Sequence, residues 1–165
     1  MSRLFIAVWL PDEVAETLHA LHRKDQRGVR FVPPENWHIT LRFLGESNPV
    51  KVVDALAGID IGHAVASLGP AVDVFDERSL VVPVAGLDEL AAEVVERTKR
   101  LGTEKPRKRF LGHVTVARVQ SNVAMPRVLG ELIADEFDVT EIALIESRLT
   151  SNGARYETLE TWPNV

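Results

Sequence analysis

The chain has 165 residues, of which 45% are apolar and 26% charged, and its net charge is −5. This composition is typical of one globular domain and excludes a disordered chain. No apolar run approaches the ~20 residues that a membrane helix needs, and the N-terminus turns acidic too soon for a signal peptide. The absence of cysteine excludes disulfides and thiolate nucleophiles. We therefore expect a cytoplasmic monomer that binds neither membranes nor extended duplex nucleic acid.

The first half of the sequence predicts two strand–helix units. An apolar strand at 3–10 ends at a proline, and an amphipathic helix at 11–24 follows it. A second strand contains the stretch WHITLRFLG at residues 37–45 and ends at a glycine. A short helix at 48–59 follows, with Asn48 as its expected N-cap and a proline in its first turn.

The second half repeats this order. SLVVPVAGLDELAAEVVERTKRL aligns with RLFIAVWLPDEVAETLHALHRK, so that Leu4 corresponds to Leu80. A second His-x-Thr stretch, GHVTVARV, follows at residues 112–119. After it the sequence predicts a proline-started helix at 125–133, and then two strands, FDVTEIALIESRLT and ARYETLETW, around the turn SNG. An offset that persists through a strand, a helix and a motif indicates an internal duplication.

The duplication leads to a prediction of the fold. We expect an α+β fold over residues 1–165, a single domain whose repeats span approximately 3–75 and 79–161. Each of two pseudo-symmetric lobes should be an antiparallel sheet backed by helices, with the active cleft between the lobes. Equivalent residues of the two repeats should then face each other across that cleft.

The equivalent residues of greatest chemical interest are the two histidines of the repeated motif. In a strand, residues i and i+2 project to the same face, so His38 shares a face with Thr40, and His113 with Thr115. Imidazole titrates near neutral pH, so one ring can take a proton while the other gives one. Attack at phosphorus needs both transfers, and threonine hydroxyls can donate to the phosphoryl oxygens. This chemistry requires neither a metal nor another cofactor.

The quoted motifs resemble the paired His-x-Thr/Ser-x motifs of the two-histidine phosphoesterase superfamily. The stretches RLFIAVWLP and VPPENWHITLRFLGE narrow the resemblance to the RNA 2′,3′-cyclic phosphodiesterase (2′-5′ RNA ligase-like, LigT-like) family. It implies metal-independent hydrolysis of 2′,3′-cyclic phosphate ends to 2′-phosphates, on RNA or small nucleotides. By resemblance His38 is the proton donor, His113 the proton acceptor, and Thr40 and Thr115 bind the phosphate. The family is also linked to the reverse reaction, 2′-5′ ligation.

Two arginines are candidate phosphate ligands, because a guanidinium can bind two phosphate oxygens at once. Strand alternation places Arg42 on the same face as His38. The family pattern instead favours Arg118, five residues after His113, although alternation would turn it away unless the strand ends or bulges there.

A basic stretch precedes the second motif. Seven basic residues and one acidic residue lie between Arg97 and Arg109, so this stretch carries +6 in a chain of −5. It is either a solvated face or an attractor for a small anion, and its position favours the second. For Phe43 we expect core packing rather than base stacking. For Phe110, which follows the basic stretch, we expect burial at least as much as base stacking.

Alternative functions stay open at this point. The chain is either an enzyme or a non-catalytic nucleotide or RNA-end binding module on the same fold. A two-histidine esterase for 2′-5′ linkages or for a cyclic ADP-ribose phosphate is a nearer alternative. Only an enzyme needs both histidines.

Overall fold

The computed structural model describes residues 2–76 and 78–164, and it contains three α-helices and two antiparallel sheets in that part of the chain. The helices and strands, in chain order, are β1 (Ser2–Trp9), α1 (Asp12–His19), β2 (Val29–Phe31), β3 (His38–Ser47), α2 (Pro49–Leu56), β4 (Val65–Leu68), β5 (Asp73–Phe75), β6 (Ser79–Ala85), α3 (Asp88–Thr98), β7 (His113–Val119), β8 (Asp135–Asp138), β9 (Glu141–Thr150) and β10 (Gly153–Pro163).

The two sheets form the two lobes. One has the strand order β10-β9-β1-β3, and the other has the order β2-β7-β6-β4-β8 with β5 also paired to β6. Every strand pair in them is antiparallel. The predicted α+β fold with two antiparallel lobes is confirmed. No helix in the described part of the chain is long and apolar enough to cross a membrane.

The two halves of the sequence exchange strands between the lobes. Strands β2, β4 and β5 come from the first half but lie in the sheet of β6 and β7. The C-terminal hairpin of β9 and β10 joins β1 and β3 instead. The lobes therefore do not coincide with the expected repeats at 3–75 and 79–161, whose equivalence stays a prediction.

The sequence of strand β1 is apolar without interruption because the strand is covered on both faces. Leu4 and Ile6 are buried in a core cluster that also contains Leu80 and Leu144, so this core joins the two sheets. Phe5 and its neighbours on the opposite face belong to a smaller cluster against β9. A strand buried on both faces reads as a continuous hydrophobic run rather than an alternating one.

Two of the predicted helices start within one residue of the expected position, and both end earlier than expected, α2 at Leu56 rather than residue 59. The side chain of Asn48 accepts a hydrogen bond from the Val50 N–H at 2.9 Å, which confirms it as the cap of α2. Helix α1 ends at His19, short of the predicted residue 24. The reason is tertiary, since the His22 N–H donates to the Glu131 carboxylate at 3.0 Å rather than to its own helix.

The predicted helix at 125–133 is wrong, because this segment consists of turns and a short bridge. Gly130 has a φ of +84°, a left-handed conformation that ends any helix. Its N–H donates to the Val72 carbonyl at 2.9 Å, and the Val72 N–H donates to the Glu131 carbonyl at 2.9 Å. Pairing with a distant segment replaces the helical hydrogen bonds.

Candidate active site

A cavity of about 350 Å³ is lined by residues of both sheets. His38 and Thr40 reach it from β3, and His113 and Thr115 reach it from β7. The structure therefore brings both His-x-Thr motifs to one cavity.

Strand β3 departs from simple alternation directly after its motif. Its Thr40 is paired with Ala7 of β1, but the next pair along β1 joins Arg42 to Ile6. Leu41 is therefore an extra residue, a β-bulge, and beyond it the two faces of the strand are interchanged.

Strand β7 has the same irregularity at the equivalent place. Thr115 is paired with Val81 of β6, whereas the next pair joins Ala117 to Leu80. Val116 is the extra residue here. The bulge that the sequence analysis required for Arg118 is therefore present.

Because of the two bulges, the residue five places after each histidine returns to the motif's face. Arg118 lines the cavity in the β7 lobe, and Phe43 lines it in the β3 lobe. The sequence analysis expected core packing rather than base stacking for Phe43. Its side chain does pack against the smaller cluster, but it also lines the cavity. The signal available was its position relative to His38, which matches that of Arg118 relative to His113.

The strand-parity argument for Arg42 is wrong. Its side chain does not line the cavity that both histidines line, and it is only 3% exposed. The guanidinium donates to the carbonyl oxygens of Leu101 at 3.1 Å and Glu104 at 2.9 Å, and also to that of Phe43. Arg42 therefore fastens the loop after α3 to strand β3.

The imidazole of His38 is oriented by its own backbone. Its Nδ1 lies 2.6 Å from the carbonyl oxygen of Asn36, and its Nε2 lies 3.1 Å from the Thr40 hydroxyl oxygen. A carbonyl only accepts, so Nδ1 carries a hydrogen and donates it. The nitrogen that gains or loses a proton is therefore Nε2, next to Thr40.

His113 is held in the same way. Its Nδ1 donates to the carbonyl oxygen of Leu111 at 2.8 Å, again two residues earlier in the chain. The Nε2 atom is again the one available for proton transfer. The two halves thus present equivalent imidazoles with equivalent tautomers.

Aromatic rings cover the two imidazoles unequally. Phe5, Trp9 and Tyr156 lie around His38 with ring centroids 4.9, 5.9 and 5.4 Å away. His113 has Phe75 at 4.6 Å. Tyr156, the chain's only tyrosine, was missed by the sequence analysis because β10 reaches the site through tertiary pairing with β9.

Burial lowers the pKa of both histidines. The pKa of His38 falls to about 4, chiefly because the protonated ring is poorly solvated there; the Asn36 carbonyl opposes this, and the charges of His113 and Arg118 add to it. Burial also lowers the pKa of His113, while the Leu111 carbonyl opposes the shift. Both rings are therefore neutral at pH 7 in the absence of an anion.

No group of three or more His, Cys, Asp or Glu side chains suited to hold a metal ion occurs within residues 2–76 and 78–164. The cavity instead carries hydroxyls, imidazoles and guanidinium groups. These groups suit an oxyanion ligand.

Comparison with known proteins agrees with this chemistry. The family described as LigT like Phosphoesterase matches residues 8–68. The RNA 2′,3′-cyclic phosphodiesterase of Thermus thermophilus is 32% identical to this chain, and the match covers 96% of this chain and 88% of that protein. The RNA 2′,3′-cyclic phosphodiesterase of Escherichia coli is 30% identical, over 98% of this chain and 96% of that protein. The chain belongs to the LigT-like RNA 2′,3′-cyclic phosphodiesterase family. The resemblance stated from the motifs is thereby confirmed.

Solved structures of this LigT-like family share the fold. The structure of Escherichia coli LigT complexed with 3′-AMP has a TM-score of 0.77 at 29% identity, and the match covers 99% of this chain and 98% of that one. A structure described as a phosphoesterase has a TM-score of 0.78 at 27% identity, covering 99% and 98%. The likeness extends over both lobes of the chain.

Proposed function

We propose that this chain hydrolyses 2′,3′-cyclic phosphate ends of RNA, or of small nucleotides, to 2′-phosphates. The observation that carries the proposal is the pair of imidazoles that line one cavity, each with Nδ1 bound to its own backbone and Nε2 left for proton transfer. Membership of the LigT-like family supports the same reaction.

The proton transfers follow from the two Nε2 atoms. Water attacks phosphorus in line with the 3′-oxygen, and His113 accepts the proton that the water loses. The bond between phosphorus and the 3′-oxygen breaks, and His38 donates a proton to that oxygen. The products are a 2′-phosphate and a free 3′-hydroxyl. The assignment of donor and acceptor follows the family resemblance, since the two imidazoles are held alike.

Phosphate binding falls to the neighbouring polar groups. Thr40 and Thr115 donate hydroxyl hydrogens to the non-bridging oxygens, where negative charge increases in the transition state. Arg118 supplies the positive charge, because it lies on the cavity and its described hydrogen bond goes to the neutral Ser79 hydroxyl at 3.2 Å. Arg42 takes no part in holding this phosphate.

Because the pKa of His38 is low in the free protein, the bound substrate must also help to protonate this imidazole. A general acid must be protonated, yet the pKa of about 4 leaves this ring neutral at pH 7 in the free protein. A phosphate anion next to the imidazole stabilises the protonated form and raises its pKa. We expect the His38 pKa, measured by NMR titration, to rise when inorganic phosphate or a 2′-nucleotide is added; an unchanged value would contradict the donor role.

The direct test removes the proposed acid. The substitution His38→Ala should lower turnover of 2′,3′-cyclic AMP by about 10²–10⁴-fold, the usual contribution of a positioned acid or base. The fold should persist, which circular dichroism and thermal melting would verify. His63→Ala is the matched control, because His63 does not line the catalytic cavity. Near-normal turnover by His38→Ala would end the acid assignment.

Two properties stay predictions: that the reaction needs no metal ion, and that the protein is a monomer. Turnover should survive EDTA, and a loss of activity that zinc or magnesium restores would contradict the mechanism. Both imidazoles belong to one chain, so a monomer suffices for the site, and gel filtration would test this state. Cytoplasmic location remains an expectation as well.

A further inference from the structure

The catalytic cavity carries more positive charge than the proposed reaction uses. Two guanidinium groups line it, those of Arg3 and Arg118, and none of the described residues that line it is an aspartate or a glutamate. The cyclic phosphate diester has a single negative charge. Arg118 meets that charge from β7, the strand that also carries His113 and Thr115. The guanidinium of Arg3 therefore has no part in the reaction at phosphorus.

Arg3 reaches the cavity from strand β1. Arg3, Phe5 and Trp9 project to one face of this strand, because successive side chains alternate. Trp9 is paired with His38, and the ring of Phe5 lies 4.9 Å from the His38 ring. Arg3 is two residues beyond Phe5, about 7 Å further along the strand. It therefore lines the end of the cavity away from the imidazole of His38.

A cation–π contact positions the guanidinium of Arg3. Its Cζ lies 5.0 Å from the centroid of the Phe43 ring, within the ~6 Å range of such contacts. Phe43 lies on the cavity because of the bulge at Leu41. A guanidinium that stacks on a ring keeps the N–H groups of its edge for hydrogen bonds to an anion.

The acid paired with Arg3 in the sheet register is Glu46 of β3. Glu46 is exposed and does not line the cavity. Among the ion pairs found in residues 2–76 and 78–164, none involves Arg3 or Glu46. An exposed carboxylate that makes no ion pair interacts only weakly with a neighbouring cation. The charge of Arg3 is therefore available to a ligand.

The end of an RNA chain supplies a second anion next to the cyclic phosphate. The terminal nucleoside carries the cyclic phosphate on its 2′- and 3′-oxygens, and its 5′-oxygen carries the phosphodiester that joins it to the rest of the chain. A free 2′,3′-cyclic nucleoside has a hydroxyl there instead. A guanidinium can donate two parallel hydrogen bonds to phosphate oxygens, so Arg3 suits the phosphodiester and gains little from the hydroxyl.

We propose that Arg3 binds the phosphodiester on the 5′ side of the terminal nucleoside, so that the cavity favours RNA ends over free 2′,3′-cyclic nucleosides. This inference rests on the proposed function and specifies its substrate class. Arg118, Thr40 and Thr115 hold the reacting phosphate, and Arg3 holds the phosphate one nucleoside away. Arg3 is thus a residue that determines specificity, and Phe43 positions it.

Three substrates that differ in the second phosphate provide the first test. They are 2′,3′-cyclic AMP, a diadenylate that ends in a 2′,3′-cyclic phosphate, and the same diadenylate with a neutral methylphosphonate in place of its linking phosphodiester. The wild type should hydrolyse the charged diadenylate with a kcat/KM about tenfold or more above that for 2′,3′-cyclic AMP, because a hydrogen bond between charged groups is gained. The methylphosphonate should lose most of this advantage, although it keeps the second base.

The second test substitutes the arginine. Arg3→Gln removes the charge and keeps a polar side chain, and it should lower kcat/KM for the charged diadenylate about tenfold more than for 2′,3′-cyclic AMP. Arg148→Gln is the matched control, because it removes the same charge from the neighbouring strand β9 and does not line the cavity. The control should leave the ratio of the two kcat/KM values unchanged. Thermal melting establishes that both variants are folded.

The outcomes separate this inference from the proposed function. A wild-type protein that hydrolyses neither 2′,3′-cyclic AMP nor the charged diadenylate contradicts the proposed function itself. A wild-type protein that hydrolyses both, but does not distinguish the charged diadenylate from the methylphosphonate, overturns only the inference. Equal fold losses on all three substrates in Arg3→Gln, or equal effects of the two arginine substitutions, overturn it as well.

Discussion

The backbone carbonyl two residues before each histidine fixes the chemistry of a single ring atom. Asn36 and Leu111 supply these carbonyls, so the side chains at the two positions have no part in the contact. The two imidazoles differ in the aromatic side chains that surround them. Three aromatic rings surround His38, and its pKa is lowered to about 4. At the residue scale, two equivalent groups thus acquire different environments.

The lowered pKa of His38 predicts a dependence of stability on pH. In the unfolded chain this imidazole binds a proton below pH 6.5, whereas in the folded chain it does so only near pH 4. Its contribution is present above pH 6.5 and is lost as the pH falls toward 4. The loss should be about 3 kcal/mol, at 1.36 kcal/mol per pKa unit.

Urea unfolding of the wild type and of His38→Gln at pH 7 and pH 4 measures this contribution, because other titrating groups cancel in the comparison. The wild type should lose more stability on acidification than the variant. An equal loss in both proteins would show that His38 titrates normally in the folded state.

The two arginines predict opposite phenotypes. Arg118→Ala should lower kcat/KM for 2′,3′-cyclic AMP about tenfold to a hundredfold, because a charged hydrogen bond to phosphate is lost, and it should leave the melting temperature nearly unchanged. Arg42→Ala should lower the melting temperature, since three carbonyl oxygens lose their donor.

A melting curve and a kinetic assay on each variant suffice to test this pair. The assignment fails if Arg118→Ala unfolds the protein, or if Arg42→Ala keeps the wild-type melting temperature.

At the scale of elements, the loop after α3 is held tightly against β3. Gly102 has a φ of +81°, and a Cβ added there would lie 2.2 Å from the carbonyl oxygen of Leu44. The Glu104 N–H donates to the same carbonyl at 3.1 Å. This contact, together with the hydrogen bonds of Arg42 to Leu101 and Glu104, holds the loop after α3 against β3.

Gly102→Ala should therefore be strongly destabilising. It combines a positive φ, which costs about 1–3 kcal/mol for a residue other than glycine, with a backbone clash. Gly58→Ala is the matched control, because Gly58 has a φ of +71° and nothing within 4 Å of the added Cβ. Chemical denaturation should show a clearly larger loss for Gly102→Ala, and equal losses would mean that the close approach has no energetic weight.

The elements also show which features the sequence could predict. Local sequence signals predicted the structure correctly where local hydrogen bonds and strand patterns determine it, as at the Asn48 cap and at the His-x-Thr strands. They failed where contacts with distant segments determine the structure. The bulge after Thr40 reverses Arg42 and exists only through the register with β1. The 125–133 segment pairs with Val72 instead of forming a helix.

At the scale of the whole molecule, strand exchange makes each lobe dependent on both halves of the chain. Strand β1 has β3 on one edge and β9 on the other, and their sequences are separated by most of the protein. Leu4, Leu80 and Leu144 belong to one buried cluster, so the core is also shared. Neither half has a complete sheet or a complete core.

A fragment of residues 1–76 should therefore not fold by itself. It would lack β9 beside β1, and its own β4 and β5 would lack β6. We expect a circular dichroism spectrum of a largely unfolded chain without a cooperative thermal transition. A cooperative transition in the isolated fragment would show that the first half is an autonomous domain.

The hydrogen bonds that join Nδ1 of each histidine to a backbone carbonyl impose a final requirement on repeated catalysis. One round of the proposed reaction leaves the acceptor ring charged and the donor ring uncharged, the reverse of the starting arrangement. Since Nδ1 of each ring is tied to a carbonyl, no relay can run through the back of either ring. The proton that returns to His38 and the proton that leaves His113 must therefore pass through the same Nε2 atoms that took part in the reaction, where the cavity opens to solvent. Small diffusible buffers that reach this opening should then speed regeneration whenever it limits the cycle.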